Sequence, residues 1–450
     1  MTNHNDTIAA IATPPGKGGI AVIRISGPES LAIIKQIFKP STTVKEYRPN
    51  ITYLGKVFDE NELIDQVIVI YYKAPHSYTG EDVIEISCHG GKFLTRTILE
   101  LVLSRASRLA RKGEFTKRAF LNGKLDLTEA ESVVDLIDAK TRKSQKVAIE
   151  RLEGKLYEGI EGIIKEINEL RTEIELDIDF PEHSNQKTDH KNIVNKIQFI
   201  KNEITRLIET ADEGIILNEG YRIAIAGEPN AGKSSIFNRL IENERSIVTD
   251  IPGTTRDFIE EDISLEGYWI KLFDTAGLRE STSEIEISGI KKSYDIVKNA
   301  HLVLWIEDTS VHKEIIIPER IKDKDYFIIL NKLDLLKSPP SIDKNCEHIV
   351  AVSAKTGHNI DVLKDMIIDK IDLEEYDISQ GILSNARQLS SAKKCRRSLL
   401  KALKSAKRES GYEFIAFDLR EASEYLEEII GKITSEDIIN NIFDRFCVGK

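Results

Sequence analysis

The stretch Tyr221 to Ser235 reads YRIAIAGEPNAGKSS, a β-branched run that empties directly into G-x-x-x-x-G-K-S. A backbone that brings successive N–H groups against a polyphosphate carries no bulk at its tightest points, which calls for glycine at Gly227 and Gly232. Lys233 then supplies a point charge for the β- and γ-phosphates, and the Ser234 hydroxyl is placed to ligate Mg²⁺. The remaining loop positions, Asn230, Ala231 and Ser235, offer backbone groups to the same anion. The motif has this meaning only between a strand and a helix, and that context is present here, with the helix N-terminus aimed at the phosphates. The chain is therefore predicted to contain a P-loop α/β unit.

Three further segments follow in the order and spacing of a guanine-nucleotide domain. Tyr268 to Gly277, YWIKLFDTAG, ends a strand at Asp274, which can hold the Mg²⁺ shell, and continues through Thr275 and Ala276 to Gly277, whose N–H can meet a γ-phosphate. Tyr326 to Asp334, YFIILNKLD, contains Asn331, Lys332 and Asp334. The Asp334 carboxylate offers two acceptors that match the N1–H and N2–H₂ of guanine, whereas adenine would leave them unpaired. Ser353-Ala354-Lys355, after the strand Ile349 to Val352, can bring a backbone N–H to the guanine O6.

Between the P-loop and Asp274 lies Thr249-Asp250-Ile251-Pro252-Gly253-Thr254-Thr255-Arg256-Asp257, a polar run broken by Gly and Pro of the kind that makes a loop. Thr255 is the candidate for the second Mg²⁺-ligating hydroxyl. Leu278 stands after Gly277, where Ras-type enzymes carry the Gln that orients the attacking water. Leucine cannot do that. Either hydrolysis is slow, or the group comes from elsewhere, with the acidic segment Glu280 to Glu286 as its source.

Outside this unit the apolar residues recur at helical spacing. Leu152 to Ile174 reads as a long amphipathic helix stopped by Asp179-Phe180-Pro181-Glu182, and Ile193 to Leu207 repeats the pattern. Helical patterning resumes through Ser391 to Lys407 and Asp418 to Ile430, and a last helix is predicted from a capping box at Thr434-Ser435-Glu436-Asp437 to about Phe446. Helices on both sides of a compact α/β unit predict that it is inserted into a helical domain. The first residues, with β-rich runs such as Ile20 to Ile25 and Val67 to Tyr72, form a separate α/β domain. The expected division is 1–120, 121–218, 219–373 for the G domain, and 374–450.

The net charge of −11 argues against indiscriminate nucleic-acid binding, so such contact needs a local patch. Arg387 to Arg408 holds nine cations and no acid, and reads equally as an RNA-backbone footprint or one solvated face. No leader pattern and no apolar run of roughly 18 residues is present, so a cytoplasmic, membrane-free protein is expected. Cys88, Cys346, Cys395 and Cys447 form no CxxC pair and read as reduced thiols. Cys447 lacks an adjacent base in sequence, and a chemical and a positional role both stay open. His89 reads as a turn or core residue.

The motifs closely resemble the MnmE (TrmE) family of tRNA-modification GTPases, over nearly the whole chain. The resemblance is carried by DTIAAIATPPGKGGIAVIRISG, SYTGEDVIEISCHGG, GEFTKRAFLNGKLDLTEAE, DFPE, the G-domain series GEPNAGKSS, TDIPGTTRD, DTAGLRE, NKLD and SAK, and the closing Cys447-Val448-Gly449-Lys450. Lys112, where the family more often has Pro or Ala, and Pro252 depart from the pattern. The resemblance implies a folate-binding and dimerising N-terminal α/β domain, a central helical domain and an inserted Ras-like G domain. It implies a 5-formyltetrahydrofolate site at Arg24, Glu85, Lys124 and Lys450, which by residue type alone would read as solvated charges. It implies K⁺ held by the Asn230 side chain and the backbone oxygens of Thr249, Ile251 and Thr254, with Glu286 orienting water and G-domain pairing closing the loop.

The implied activity is GTP hydrolysis in modification of C5 of the tRNA wobble uridine to a carboxymethylaminomethyl-type group. Methylenetetrahydrofolate would be the carbon source, and the homodimer would join the FAD-dependent MnmG (GidA) in a heterotetramer or larger complex. The alternative is a regulatory or ribosome-assembly GTPase without modification chemistry, which would have no use for a folate.

Overall fold

The computed structural model describes residues 6–180, 190–242, 260–274, 295–311, 319–336, 348–371, 381–408 and 411–450. The expectations for Thr249 to Thr255, Thr275 to Leu278, Glu286 and Cys346 lie outside the described residues. The chain groups into two compact units. The first is Met1–Val134, Arg151–Lys201 and Lys394–Lys450; the second is Asp135–Glu150 and Asn202–Lys393.

In the first unit, β1 (Ile8–Ile11), β2 (Ile20–Ser26), β3 (Phe38–Pro40), β4 (Thr52–Asp59), β5 (Glu62–Tyr72), β6 (Val83–His89) and β7 (Arg108–Leu109) form one sheet in the order β3-β4-β5-β6-β2-β1-β7. Only the β1–β7 pair is parallel. Period-two alternation explains what each face carries. Ala21, Ile23 and Ile25 of β2 and Ile84, Ile86 and Cys88 of β6 join one core with the helices Ser30–Ile37 and Lys92–Leu103. Their intervening neighbours Arg24 and Glu85 must then point to the other face, and the antiparallel register sets them directly opposite each other.

On that other face Ile8, Ala10, Ala110 and Phe115 cluster with Tyr78. Phe115 belongs to the helix Glu114–Leu121, which also carries Arg118, only 2% exposed. The buried guanidinium reaches the Asp6 carboxylate at 2.7 Å, the Asp6 carbonyl at 2.8 Å, Glu81 at 3.1 Å and Glu114 at 3.2 Å.

The helical part of this unit follows its apolar spacing from Leu156 on, whereas Leu152, expected in the same helix, ends the preceding one, Arg142–Leu152, and Gly154 at φ +85° separates the two. Leu156, Ile160, Ile164, Ile167, Leu170 and Ile174 are the buried stripe of Lys155–Asp179, which packs against Tyr412–Ile430. The last helix differs from expectation. It spans Glu436–Phe443 with Ser435, not Thr434, as its N-cap, Ser435 Oγ accepting from the Ile438 amide at 3.4 Å. It stops short of Phe446, because that ring turns inward onto Phe443, with centroids 5.3 Å apart.

In the second unit the described strands β8 (Tyr221–Gly227), β9 (Glu260–Leu265), β10 (Tyr268–Asp274), β11 (Leu302–Asp308), β12 (Asp325–Asn331) and β13 (Ile349–Ala351) pair in the order β13-β12-β11-β8-β10-β9. All pairs are parallel except β9–β10. The helix Lys233–Glu242 buries Ile236, Phe237, Leu240 and Ile241 in the core that contains Ile223, Ile225 and Leu272. A parallel sheet of this kind binds its ligand at the carboxyl ends of its strands, where Gly227, Asp274 and Asn331 all lie. Among the described residues, no helix is long and apolar enough to cross a membrane.

The Arg118 cluster makes an acid-sensitive joint. Burial acts to raise the Glu114 carboxyl, but hydrogen bonds from Arg108 and the Arg111 amide, with the charges of Arg108 and Arg118, prevail and hold it at about 2. A carboxylate depressed on folding contributes stability that is present above its unfolded value and lost as pH falls through the folded one. Denaturant unfolding between about pH 5 and pH 2 is expected to show a loss on the order of 2 kcal/mol from this group. Glu114→Gln should lack that component, and equal acid losses in variant and wild type would refute the assignment.

Candidate functional site

The P-loop is built where its sequence requires. Gly227 has φ +147° and Gly232 φ +94°; a Cβ on the first would overlap the Ile306 carbonyl oxygen, and on the second the Asn331 amide. Asn230 is left-handed at φ 63°, which asparagine tolerates better than most residues. Lys233 Nζ donates to the carbonyls of Glu228 at 2.7 Å and Gly227 at 3.3 Å, closing the loop on itself. Ser234 Oγ donates to Asp274 Oδ2 at 3.0 Å. The two groups expected around Mg²⁺ are thus side by side, and this oxygen pair suits a hard divalent cation, whose charge would offset that of the phosphates.

The base end of the site is organised by Asn331, 2% exposed at the end of β12. Its amide nitrogen donates to the Ala231 carbonyl at 2.9 Å, and its Oδ1 accepts from the Ala354 amide at 3.0 Å. One side chain therefore joins the P-loop to the Ser353–Lys355 loop. Asp334 Oδ1 accepts from Ser353 Oγ at 2.7 Å. Lys332, left-handed at φ 67°, pairs with Asp308 at 2.6 Å; burial acts to raise that carboxyl, but hydrogen bonds from Lys332 and Ser310 hold it below the usual range. A cavity of about 590 Å³ is lined by Gly232, Ser235, Asn331, Lys332, Asp334 and Lys355 together with Arg239 and others. Arg239 binds the Ala354 carbonyl at 2.7 Å and that of Lys355 at 2.9 Å. Sequence reasoning missed Arg239 and Asp308, whose positions carry no local motif.

In the first unit, Arg24 holds Glu85 through Nε at 2.9 Å and through a second nitrogen at 2.8 Å. Its guanidinium lies 5.4 Å from the Tyr78 ring and 5.7 Å from that of Phe115, two aromatics the sequence reading did not single out although both lie within its quoted motifs. A third Arg24 bond, at 3.4 Å, goes to the carbonyl of Gly449. Residues 447–450 are held there by the Lys112–Val448 bridge, by the Gly113 amide on the Cys447 carbonyl at 3.4 Å, and by the Phe115 amide on the Lys450 carbonyl at 3.2 Å. Gly449, at φ +100°, passes so close to the Ile11 carbonyl that no side chain would fit. Burial and the neighbouring Arg24 lower the Lys450 pKa, against the opposing pull of Glu85 and Cys447.

Arg24, Glu85 and Lys450 are thus brought together, and Lys124 runs alongside Gly80, two residues from Tyr78. The Arg24–Glu85 pair flanked by two aromatic rings fits a heteroaromatic ring with a donor-acceptor edge, and Lys450 fits an anionic tail.

Cys447 is exposed, whereas Cys88 and Cys395 are buried, and burial pushes the Cys88 thiol up to about 11. His89 is neither core nor turn: it is exposed at the end of β6, with Nδ1 2.7 Å from Asp65. On the helix Ala386–Lys407 and just beyond it, Lys393, Lys394, Arg397, Lys404, Lys407 and Arg408 are exposed, and Lys401 meets Glu421 at 3.4 Å.

The six-stranded sheet of the second unit and the site at its strand ends are those of a P-loop G domain. The family model for the MnmE helical domain matches residues 127–447, and that for the N-terminus of the GTP-binding protein TrmE matches residues 7–124. The tRNA modification GTPase MnmE of Aquifex aeolicus is 42% identical over 453 residues, covering 99% of this chain and 100% of its own. That of Thermotoga petrophila is 39% identical over 457 residues, with 99% and 100% covered, and that of Clostridioides difficile 40% over 456, with 99% of each covered. The chain belongs to the MnmE family of tRNA-modification GTPases.

Asp334→Asn is expected to weaken GTP binding roughly 100-fold and to improve xanthosine triphosphate relative to GTP, because an amide cannot accept from both guanine donors. Competition binding with the two nucleotides measures this, and unchanged preference for GTP would exclude Asp334 from base recognition.

Proposed function

We propose that this chain hydrolyses GTP to drive modification of C5 of the wobble uridine of tRNA to a carboxymethylaminomethyl-type group. In this reading it works as a homodimer, with an FAD-dependent MnmG-type partner, and takes its one-carbon unit from 5,10-methylenetetrahydrofolate. The observation that carries the folate part is the tethering of residues 447–450 beside the Arg24–Glu85 pair, since a GTP switch alone has no use for a second polar-aromatic pocket. Glu85 would accept from the pterin edge, Arg24 would hold Glu85 ionised and oriented, and Lys450 and Lys124 would pair with the glutamate end. Cys447, exposed and anchored through its own carbonyl to the Gly113 amide, would be open to an incoming base.

In the G domain, Lys233 would neutralise the β- and γ-phosphates, Ser234, Thr255 and Asp274 would hold Mg²⁺, which would offset phosphate charge, and Glu286 would orient the attacking water in place of the residue Leu278 cannot supply. Asn230, with the backbone oxygens of Thr249, Ile251 and Thr254, would hold a K⁺ ion, whose fixed positive charge would offset the negative charge that develops during phosphoryl transfer, the service an arginine finger gives elsewhere.

Two experiments test the reading. GTP turnover should be at least 10-fold faster in K⁺ than in Na⁺ at equal ionic strength, and Asn230→Ala should abolish the difference. Equal wild-type rates in the two salts would remove the ion from the mechanism. Deleting residues 447–450 should weaken 5-formyltetrahydrofolate binding by calorimetry and remove the modified wobble nucleoside from a mass-spectrometric profile of tRNA, while GTP turnover persists. Unchanged folate affinity in the truncated chain would refute the placement of Lys450.

A further inference from the structure

A cleft of about 450 Å³ opens in the first unit, with a lining that includes neither Arg24, Glu85 nor Lys450. Its floor is the Arg108–Arg118 network, and there the charges are already matched. Arg108 binds Asp6 at 2.6 Å and Glu114 at 2.5 and 2.8 Å, and Arg118 shares the same two carboxylates. The rim is different. Arg111 and Lys112 are exposed, and among the described residues neither has an ion-pair partner, while Lys117 donates to the neutral amide oxygen of Asn440 at 2.7 Å. Against these three cations the rim sets one carboxylate, Asp444. The backbone fixes the arrangement, because the Arg111 amide donates to Glu114 at 2.8 Å and Lys112 is bridged to Val448.

We propose that this cleft is a phosphate site for the substrate RNA, taking a backbone phosphodiester of the tRNA and placing the adjoining nucleotide against residues 447–450. Arginine and lysine are the side chains that grip phosphates and set the register of a bound strand, and the arginine fork matches phosphate oxygens in pairs. The hollow has room for a sugar-phosphate unit. A chain of net charge −11 that gathers unmatched cations around one concavity focuses its attraction for polyanions there. The contacts of residues 112 and 113 with 448 and 447 put anything held at the rim within a residue or two of exposed Cys447. The proposal rests on the reading above that tRNA is the substrate.

The test uses the full chain carrying Arg111→Ala with Lys112→Ala, and follows fluorescence anisotropy of labelled tRNA across a salt titration. Affinity should fall about 10-fold near ~0.1 M salt, and the slope of log affinity against log salt should become shallower by about 1 to 2. GTP turnover and 5-formyltetrahydrofolate affinity should be unchanged, and Arg111→Lys with Lys112→Arg should retain most of the binding. Unchanged tRNA affinity and slope, with wild type binding normally, would overturn the cleft and leave the proposed function standing. Unchanged tRNA binding with weakened binding of a polyglutamyl folate would overturn it in favour of the folate tail. If wild type bound no tRNA, both readings would fall.

Discussion

Three segments of the N-terminal domain are joined by the buried cation Arg118. Arg118 gathers Asp6 from the segment before β1, Glu81 from the loop before β6 and Glu114 from its own helix. Burying a guanidinium is tolerable only when carboxylates surround it, and removing one partner of such a cluster costs about 3–5 kcal/mol. The three segments it joins are also those that frame the Arg24 face. The loop containing Glu81 carries Tyr78, the helix carries Phe115, and β1 carries Ile11, against which Gly449 turns. Geometry at the pocket is therefore inherited from an ion cluster that takes no part in it.

Asn331 plays the corresponding part in the second unit with a neutral group. Two hydrogen bonds in opposite directions suit an amide, because the short carboxamide presents a donor and an acceptor in one plane without needing a proton to be bound or lost. Aspartate there would face the Ala231 carbonyl with a second acceptor. The phosphate loop and the base-end loop are thereby spaced by one rigid side chain, while Arg239 pins the base-end loop from behind.

The G-domain elements were legible because each is a local solution to a local problem. A tight turn against phosphate needs glycine, and guanine needs a carboxylate at a strand end. The buried stripes of Lys155–Asp179 and His190–Glu209 were legible through their spacing. Other boundaries were not. The helix expected from Asp418 starts at Tyr412, because Phe414 and Phe417 face solvent at 65% and 52% exposure and blur the amphipathic period of the first turns. The helix Arg142–Leu152 escaped notice since it buries little apolar surface, chiefly Val147 and Ala148. Arg24, Glu85 and Lys450 were recognised only through family likeness: alternation shows which face a strand residue occupies, but not that a segment more than 400 residues later lies across it. The meeting of Arg111 and Lys112 with the C-terminal helix around one cleft was invisible for the same reason.

That long-range pairing has a temporal side. Arg24 and the Gly449 carbonyl it binds are 425 residues apart. At ribosomal speeds of about 5–20 residues per second, the second follows the first by roughly 20–85 seconds. The N-terminal sheet, whose strands come from the first 109 residues, can fold early in that interval, with Phe115 already packed among Ile8, Ala10 and Ala110. Until the interval ends Arg24 lacks the Gly449 carbonyl, and its geometry rests on the pairing with Glu85 and on the rings of Tyr78 and Phe115 alone.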